Sequence, residues 1–430
     1  KGTQADTLFW YDDIAIGINI CEDIWIENGP AEEQVKQGAS LIININASPY
    51  DIQKNETRKE IVMKKALKLN VPIIYLNMVG GQDELVFDGG SFVVDDLGEI
   101  IYQASSFKEE VFHLDIDLKI KKQNDKSSLL IRPKTTKLKD IKSKPSMSEN
   151  ESIYSALKLG LLDYVSKNKF TKVLIGISGG IDSALTAAIC VDALGAQNVI
   201  GVAMPSKYNS KDSLDDAIKL STNLGIKLKT IEIEKIVDSF RETLKNSLNE
   251  ELGQITDENI QSRVRGNILM GLSNQTGAMV VSTGNKSEMA VGYSTLYGDL
   301  AGGFALIKDL YKSKVYELSN YRNSISEVIP KDIITKEPSA ELRPNQLDTD
   351  SLPDYEVLDK ILNLYIEQDS SSEKIIATGI QPDLVYDVLE KVDRNEYKRK
   401  QVAPGVKLTQ KAFGKDRRMP ITNTYIRQKE

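Results

Sequence analysis

Three groups of residues in this chain have types and spacing that could do chemistry. The first is the run Gly176-Ile177-Ser178-Gly179-Gly180-Ile181-Asp182-Ser183. Its paired glycines let the backbone come close to an anion and aim successive N–H groups at it. Ser178 and Ser183 add hydroxyl donors. Asp182 would repel a phosphate unless a divalent cation with hard oxygen ligands, Mg²⁺, lies between them. Neither a G-x-x-x-x-G-K-[ST] loop nor a G-x-G-x-x-G dinucleotide pattern occurs, so this is another kind of phosphate loop or a plain glycine turn. The second group is Thr283-Gly284-Asn285-Lys286-Ser287-Glu288. Thr283 could hydrogen-bond a nucleotide and Glu288 could share a metal with Asp182. The plainer reading is a polar strand-to-helix loop with an exposed Lys-Ser-Glu. The third is Cys21, followed by Glu22 and Asp23. A thiol at a strand end is a candidate nucleophile; it is equally a buried cysteine that finishes a core strand.

Such groups need elements to position them. Short apolar runs at Ile14–Ile20, Leu41–Ile45, Pro72–Leu76, Ser91–Val94 and Val111–Leu114 read as strands. Helical patterns lie at Ala31–Gln37 and at Thr57–Leu69, the latter with Asn55 as a candidate cap. Asp95-Asp96-Leu97-Gly98 is a hairpin signal. Residues 119–150 carry nine lysines, two prolines and little apolar periodicity, which predicts an exposed linker or a basic tract that touches a phosphate. From Glu151 onward strands and helices alternate. Helix Ile153–Ser166 leads to strand Val173–Ile177, the glycine loop and helix Ser183–Leu194. Strand Val199–Ala203, helix Leu214–Leu224 and strand Lys229–Ile233 follow. Helices Ile236–Leu248 and Glu258–Ser273 then precede strand Ala278–Ser282. Gly195 and Gly225 are placed to end their helices. Alternation at this spacing means a parallel sheet with helices on both faces, where ligands bind beyond the carboxyl ends of the strands.

Composition narrows the classes. A 40% hydrophobic, 27% charged chain of 430 residues is long enough for two or three globular domains. A net charge of −7 offers no electrostatic footprint for nucleic acid, so an anionic substrate must be held locally. Two cysteines, Cys21 and Cys190, are too few for a disulfide scaffold and point to a reducing, cytoplasmic compartment. The single histidine, His113, has no partners nearby for a Ser-His-Asp triad or a metal site. Apolar runs reach strand length only, so no membrane span is expected. The first strand follows Lys1 almost at once, as expected of a chain that starts inside a domain.

The run S-G-G-x-D-S at a strand–helix junction resembles the loop of the ATP pyrophosphatase superfamily, whose members cleave ATP to AMP and pyrophosphate by adenylating a substrate. Further blocks resemble the glutamine-dependent branch of the NAD synthetases: Thr283–Tyr293, Tyr293–Asp299 through Gly302-Gly303-Phe304, Arg263–Asn267, Pro338–Pro344, Leu352–Tyr355, and Tyr397–Gln401 through Phe413–Arg418. The ammonia-only branch carries a lysine and an aspartate where this chain has Leu296 and Gly303. Cys21-Glu22-Asp23, with an apolar strand ending Asn46-Ala47-Ser48-Pro49, resembles the nitrilase fold. The resemblance implies an α/β protein: part of a nitrilase-like α/β sandwich at 1–118, a linker at 119–150, and a doubly wound, adenine nucleotide α-hydrolase-like synthetase domain at 151–430.

Carried over residue by residue, the resemblance implies that Gly176 through Ser183, Thr283, Lys312 and Ser339 hold ATP. Asp182 and Glu288 would bind Mg²⁺; Asn259, Glu288 and Lys398 would contact deamido-NAD. Cys21 would be the glutaminase nucleophile, with Ser48 and Lys54 holding L-glutamine. Cys190 is assigned to the core. A nitrilase site also needs a glutamate and a lysine ahead of its cysteine. None among the twenty preceding residues fits, so ammonia is expected to support turnover by this chain and glutamine is not. A homo-oligomer built on the synthetase domain is also implied. The alternatives are another adenylating glutamine amidotransferase, which would usually bring a Cys-His-Glu glutaminase, and a nucleotide-binding module without turnover.

Overall fold

A computed structural model describes residues 8–118, 145–422 and 424. The chain divides into two compact units, Lys1–Gly81 with Leu85–Ser152, and Gln82–Glu84 with Ile153–Glu430.

The first unit is built on a six-stranded mixed sheet. Its elements are β1 (Leu8–Tyr11), β2 (Ile14–Ile20), α1 (Pro30–Lys36), β3 (Leu41–Asn46), α2 (Lys54–Leu69) and β4 (Ile73–Asn77), then β5 (Val79–Gln82), β6 (Leu85–Asp88), β7 (Phe92–Val94) and β8 (Ile100–Gln103). The order is β1-β2-β3-β4-β7-β8, with β5 and β6 paired apart from it. β2, β3 and β4 run parallel, so their carboxyl ends share one edge. Alternate residues of β3 and β4 face α2, where Ile42, Ile73, Tyr75 and Phe92 pack against Val62 and Ala66. The Asp95–Gly98 turn joins β7 to β8 as an antiparallel hairpin; Gly98 takes φ +83 and Asp95 Oδ1 accepts from the amides of Leu97 and Glu99.

Two expectations fail in this unit, and three strands lie outside those expected. Val111–Leu114 is not a strand: Phe112 and Leu114 spend their apolar surface against Val93 and Tyr102 rather than on a ladder. α2 begins before Thr57 without Asn55 as cap, because the Asp51 carboxylate and carbonyl take the amides of Gln53 and Lys54 and feed the chain into the first turn. β1, β5 and β6, four residues each, are too short for the alternation that reveals a strand.

The second unit opens with α3 (Glu149–Lys167), so the last two residues assigned to the linker are helical; acidic residues in the first turn suit a helix start. Of the rest of that linker, 119–144 lie outside the described residues. Then come β9 (Val173–Gly176), α4 (Ile181–Leu194), β10 (Val199–Ala203), α5 (Lys211–Leu224), β11 (Lys227–Thr230), α6 (Glu234–Leu248), α7 (Gln254–Thr276) and β12 (Met279–Ser282). They are followed by α8 (Lys286–Val291), β13 (Phe304–Ala305), α9 (Lys312–Ile325), α10 (Lys331–Thr335), α11 (Tyr355–Leu362), α12 (Ser372–Ile376), α13 (Pro382–Arg394) and α14 (Glu396–Arg399). The sheet is wholly parallel in the order β11-β10-β9-β12-β13. The chain winds outward from β9 through β10 to β11, then returns to β12 on the other side of β9. The reversal opens a crevice at the carboxyl ends of these strands.

The helices of this unit start earlier than the apolar periodicity shows. α5 begins at Lys211, capped by the Ser210 hydroxyl on the Ser213 amide. β11 ends at Thr230, so Ile231-Glu232-Ile233 lies beyond it. Ile233 instead packs beside Leu174 and Val237 in the core under α6 and α7.

Candidate active site

The glycine run leaves β9 and turns into α4. Ser178 Oγ accepts the Gly180 amide at 3.1 Å, Ser183 Oγ accepts the Ser178 amide at 3.2 Å, and Ser183 donates to the Gly180 carbonyl at 2.9 Å. The two serines therefore shape the loop as well as offering hydroxyls to it. Gly179 has φ +81, and a Cβ there would sit 2.3 Å from the Ser213 carbonyl oxygen. Only glycine fits both the conformation and the approach. The first-turn amides of α4 lack intrahelical acceptors and carry the positive end of the helix dipole, which favours an anion here.

The turn after β12 stands across the same crevice. Asn285 caps α8: its Oδ1 accepts the Glu288 amide at 3.0 Å, and its own amide meets Glu288 Oε2 at 3.3 Å. The Asn285 side-chain amide also donates to Asp182 Oδ1 at 3.0 Å, joining the two loops directly. Lys312, at the first turn of α9, places its Nζ 2.5 Å from Asp182 Oδ2 and 3.6 Å from Glu288 Oε1. Burial, with the neighbouring Asp182 charge, pushes the Glu288 carboxyl up to about 8. Burial works against the Lys312 ammonium, but the charges of Asp182 and Glu288 outweigh it and hold the amine protonated. Asp348 completes the acidic group. Tyr293 and Tyr355 donate to it at 3.2 and 2.9 Å, and burial raises its carboxyl. The plainer expectation of an exposed Lys-Ser-Glu is not met. Lys286 and Ser287 are fully buried; Lys286 pairs with Asp309 and Glu367, and Ser287 bonds to Asp359.

These elements enclose a cavity of about 600 Å³. The loop from Gly176 to Ser183 lines it, together with Thr283, Lys312, Ser339, Asn259, Glu288 and Lys398. Asn259 accepts the Thr295 hydroxyl at 2.7 Å. Lys398, on α14, donates to the carbonyls of Gly292 and Ser294 at 2.7 and 2.8 Å. Ser339 donates to the Gln346 carbonyl. Residues more than 200 positions apart thus share one space.

In the other unit, Cys21 follows β2 with φ +50 and begins a 3₁₀ turn, Cys21–Ile24. Its side chain is half-buried. Trp25 follows in that turn, and Lys54 Nζ lies 4.5 Å from the centre of its ring, which brings Lys54 to the Cys21 turn. Ser48 is buried after β3, its hydroxyl taken by Arg58 Nε at 3.0 Å. Arg58 also forks onto Asp88 at 2.7 and 2.9 Å and onto the carbonyls of Ser48 and Pro49. Cys190 is fully buried, and burial raises its thiol above the usual range.

The carbon–nitrogen hydrolase family model matches residues 2–122, and the NAD synthase family model matches 153–402. A glutamine-dependent NAD(+) synthetase from Thermotoga maritima is 48% identical over 435 residues, covering 96% of this chain and 75% of the relative. Its counterpart from Aquifex aeolicus is 46% identical, covering 96% and 76%. The chain belongs to the glutamine-dependent NAD(+) synthetases. It is therefore a ligase that forms a C–N bond, in a family that uses ATP. The solved structure of the Acinetobacter baumannii member, in complex with ADP, matches at TM-score 0.71 and 43% identity, covering 98% of this chain and 74% of that one. That of the Cytophaga hutchinsonii member matches at TM-score 0.78 and 20% identity, which speaks for the fold alone.

Some site residues carry no signal that local spacing could reveal. Asn285 lies within a motif, yet its link to Asp182 spans 103 positions. Asp348 reaches the acidic group from a short 3₁₀ turn, Asp348–Asp350, that has no sequence pattern. Arg265 is another: its guanidinium lines the cavity, held by the Met204 carbonyl and Asn209 Oδ1 at 3.1 Å each. Arg58 sits in a helix whose surface pattern reads as ordinary charge.

Proposed function

We propose that the cavity of the second unit adenylates the nicotinate carboxylate of deamido-NAD with ATP and then amidates it with ammonia. The observation that carries this reading is the meeting of Asp182, Glu288 and Lys312 at the phosphate loop. A carboxylate resists nucleophiles and has no good leaving group. Attack of its oxygen on the α-phosphorus of ATP breaks the bond to the β-phosphate and leaves an acyl adenylate. Ammonia then adds to the acyl carbon, AMP departs with the C–O electrons, and a proton is lost to give the amide. Negative charge that grows on the departing pyrophosphate is met by Lys312 Nζ, the loop amides and the first turn of α4. Thr283 and Ser339 orient the nucleotide, while Asn259 and Lys398 orient deamido-NAD. Most of the acceleration then comes from position and preset charge.

Asp182 and Glu288 fit Mg²⁺. Among the described residues no group of three or more His, Cys, Asp or Glu is placed to hold an ion. Two carboxylates beside a phosphate site are the usual protein share for Mg²⁺, which takes its other ligands from phosphates and water. The raised Glu288 carboxyl marks a pair that gains from a further cation. When bound, Mg²⁺ supplies charge neutralisation between Asp182 and the phosphates.

Cys21 serves as the nucleophile that releases ammonia from L-glutamine, with Ser48 and Lys54 beside it on the substrate. We place the working protein in the cytoplasm as a homo-oligomer. Two free cysteines fit a reducing compartment, and no described helix is long and apolar enough to cross a membrane. Exposed apolar side chains on α6 and α7, among them Phe240, Leu248 and Ile255, favour association.

The test is to follow NAD, AMP and pyrophosphate by chromatography with ATP, Mg²⁺, deamido-NAD and ammonium. Equal yields of all three, each requiring deamido-NAD, are expected. AMP release that ignores deamido-NAD would refute the substrate.

A further inference from the structure

Cys21 stands in a left-handed backbone conformation, φ +50, although it carries a side chain. Such a residue keeps that conformation only where its surroundings over-determine it. Two side-chain hydrogen bonds act on the turn. The Ile20 amide donates to Asp23 Oδ2 at 2.9 Å, and the side-chain amide of Asn44 donates to the Cys21 carbonyl at 3.2 Å. Asn44, on β3, is completely buried. Its other N–H donates to Asn19 Oδ1 at 2.8 Å, and its Oδ1 accepts from Asn46 at 2.7 Å. Asn19 in turn donates to Gln34 at 3.4 Å, Gln34 donates to the Ile18 carbonyl, and Asn46 reaches the Leu76 carbonyl. All four side chains of this ladder are buried, and only Asn44 bonds to the strained residue. A buried amide is costly unless its polar atoms find partners; both N–H groups and the oxygen of Asn44 do, while the Asn46 Oδ1 is left without one.

We propose that Asn44 is a positioning residue for Cys21: its side-chain amide pins the Cys21 carbonyl in the left-handed turn and so sets the aim of the thiol. The consequence for glutamine use rests on Cys21 being the glutaminase nucleophile; the backbone claim does not.

Alkylation of Cys21 by iodoacetamide, located by mass spectrometry, reads the aim directly, because Cys190 is buried and silent. In the full chain, Asn44→Ala is expected to change the Cys21 rate at least roughly fivefold, the equivalent of the lower end of backbone strain. Asn19→Ala removes an equally buried member of the ladder that makes no bond to Cys21, and is expected to change the rate clearly less than Asn44→Ala does. Equal effects of the two variants, or none from Asn44→Ala, would overturn the proposal. Should Asn44→Ala not fold, the near-isosteric Asn44→Asp removes the donor and is held to the same outcomes. A second arm measures coupling. Cys21→Gly, free of strain at φ +50, is expected to raise the melting temperature beside Asn44 and to raise it less beside Asn44→Ala; additive shifts would refute pinning. The nucleophile reading fails separately, if saturating L-glutamine does not slow the alkylation of Cys21.

Discussion

At the carboxyl ends of β9 and β12 the reactive groups are charges that hold one another, whereas at the carboxyl ends of β2 and β3 the reactive thiol is held by neutral amides. In the first region Lys312 sits between Asp182 and Glu288, and Asn285 ties the two loops. Asp182, Glu288 and Lys312 are themselves candidates for chemistry, so scaffold and site largely coincide. In the second region Asn44, Asn19 and Gln34 support Cys21 from below, and Arg58 with Asp88 fixes Ser48. There the scaffold is separate from the group that would react. A charged site can bind charged substrates and answer to pH; an amide scaffold fixes geometry without adding a field.

That contrast is open to attack in several ways. The sharpest is Asp182→Asn, which removes a carboxylate from the charged region. Ammonia-dependent NAD formation should fall by at least about a hundredfold, in line with the loss of a preset electrostatic group. A near-normal rate would mean that the charge cluster is structural. Next is Arg58→Met, which leaves Asp88 buried and unpaired. Chemical denaturation should show the first unit destabilised by about 3–5 kcal/mol, with far less effect on the ammonia-dependent rate. Gly179→Ala follows. It forces a Cβ to within 2.3 Å of the Ser213 oxygen, and with φ +81 it should cost about 1–3 kcal/mol in stability or in apparent ATP affinity. Unchanged melting and unchanged KM for ATP would show that the loop can shift at no cost.

The smallest effect concerns acid. Burial alone would raise the Glu234 carboxyl, but hydrogen bonds from Lys207 and Arg241 overcome it and bring it down to about 2. A carboxyl lowered in the folded state adds stability above its ordinary value of 4.5, and that stability is lost as pH falls from 4.5 toward 2. Because Glu234 is partly exposed, solvent screening leaves about 1 kcal/mol of this. Glu234→Gln should flatten the acid limb of a denaturation series by that amount, and an unaltered limb would discount the pair.

Much of the synthetase unit is legible in the order of its residues. The glycine run, the strand ahead of it and the helix after it are contiguous, and contiguity is what a local pattern records. The same holds for Thr283 through Glu288 and, in the first unit, for the Asp95–Gly98 hairpin. Lys286 misleads for the opposite reason. A lysine in a polar turn reads as solvated, and its partners, Asp309, Glu367, Thr409 and the Lys411 carbonyl, lie as many as 125 positions away. Val111–Leu114 misleads likewise, since apolar residues that fill a gap beside Tyr102 look like a strand.

The sequence by itself determined most elements of the second unit and the residue types able to hold phosphate, because these depend on side chains a few positions apart and on the steric limits of the backbone. The tertiary structure alone decided that Asp182 meets Asn285 and Lys312, that Asn44 grips the carbonyl of Cys21, and that Arg58 binds Ser48. Those contacts exist because strands distant in the chain lie side by side in the sheet, and burial then forces each polar group to find a partner there.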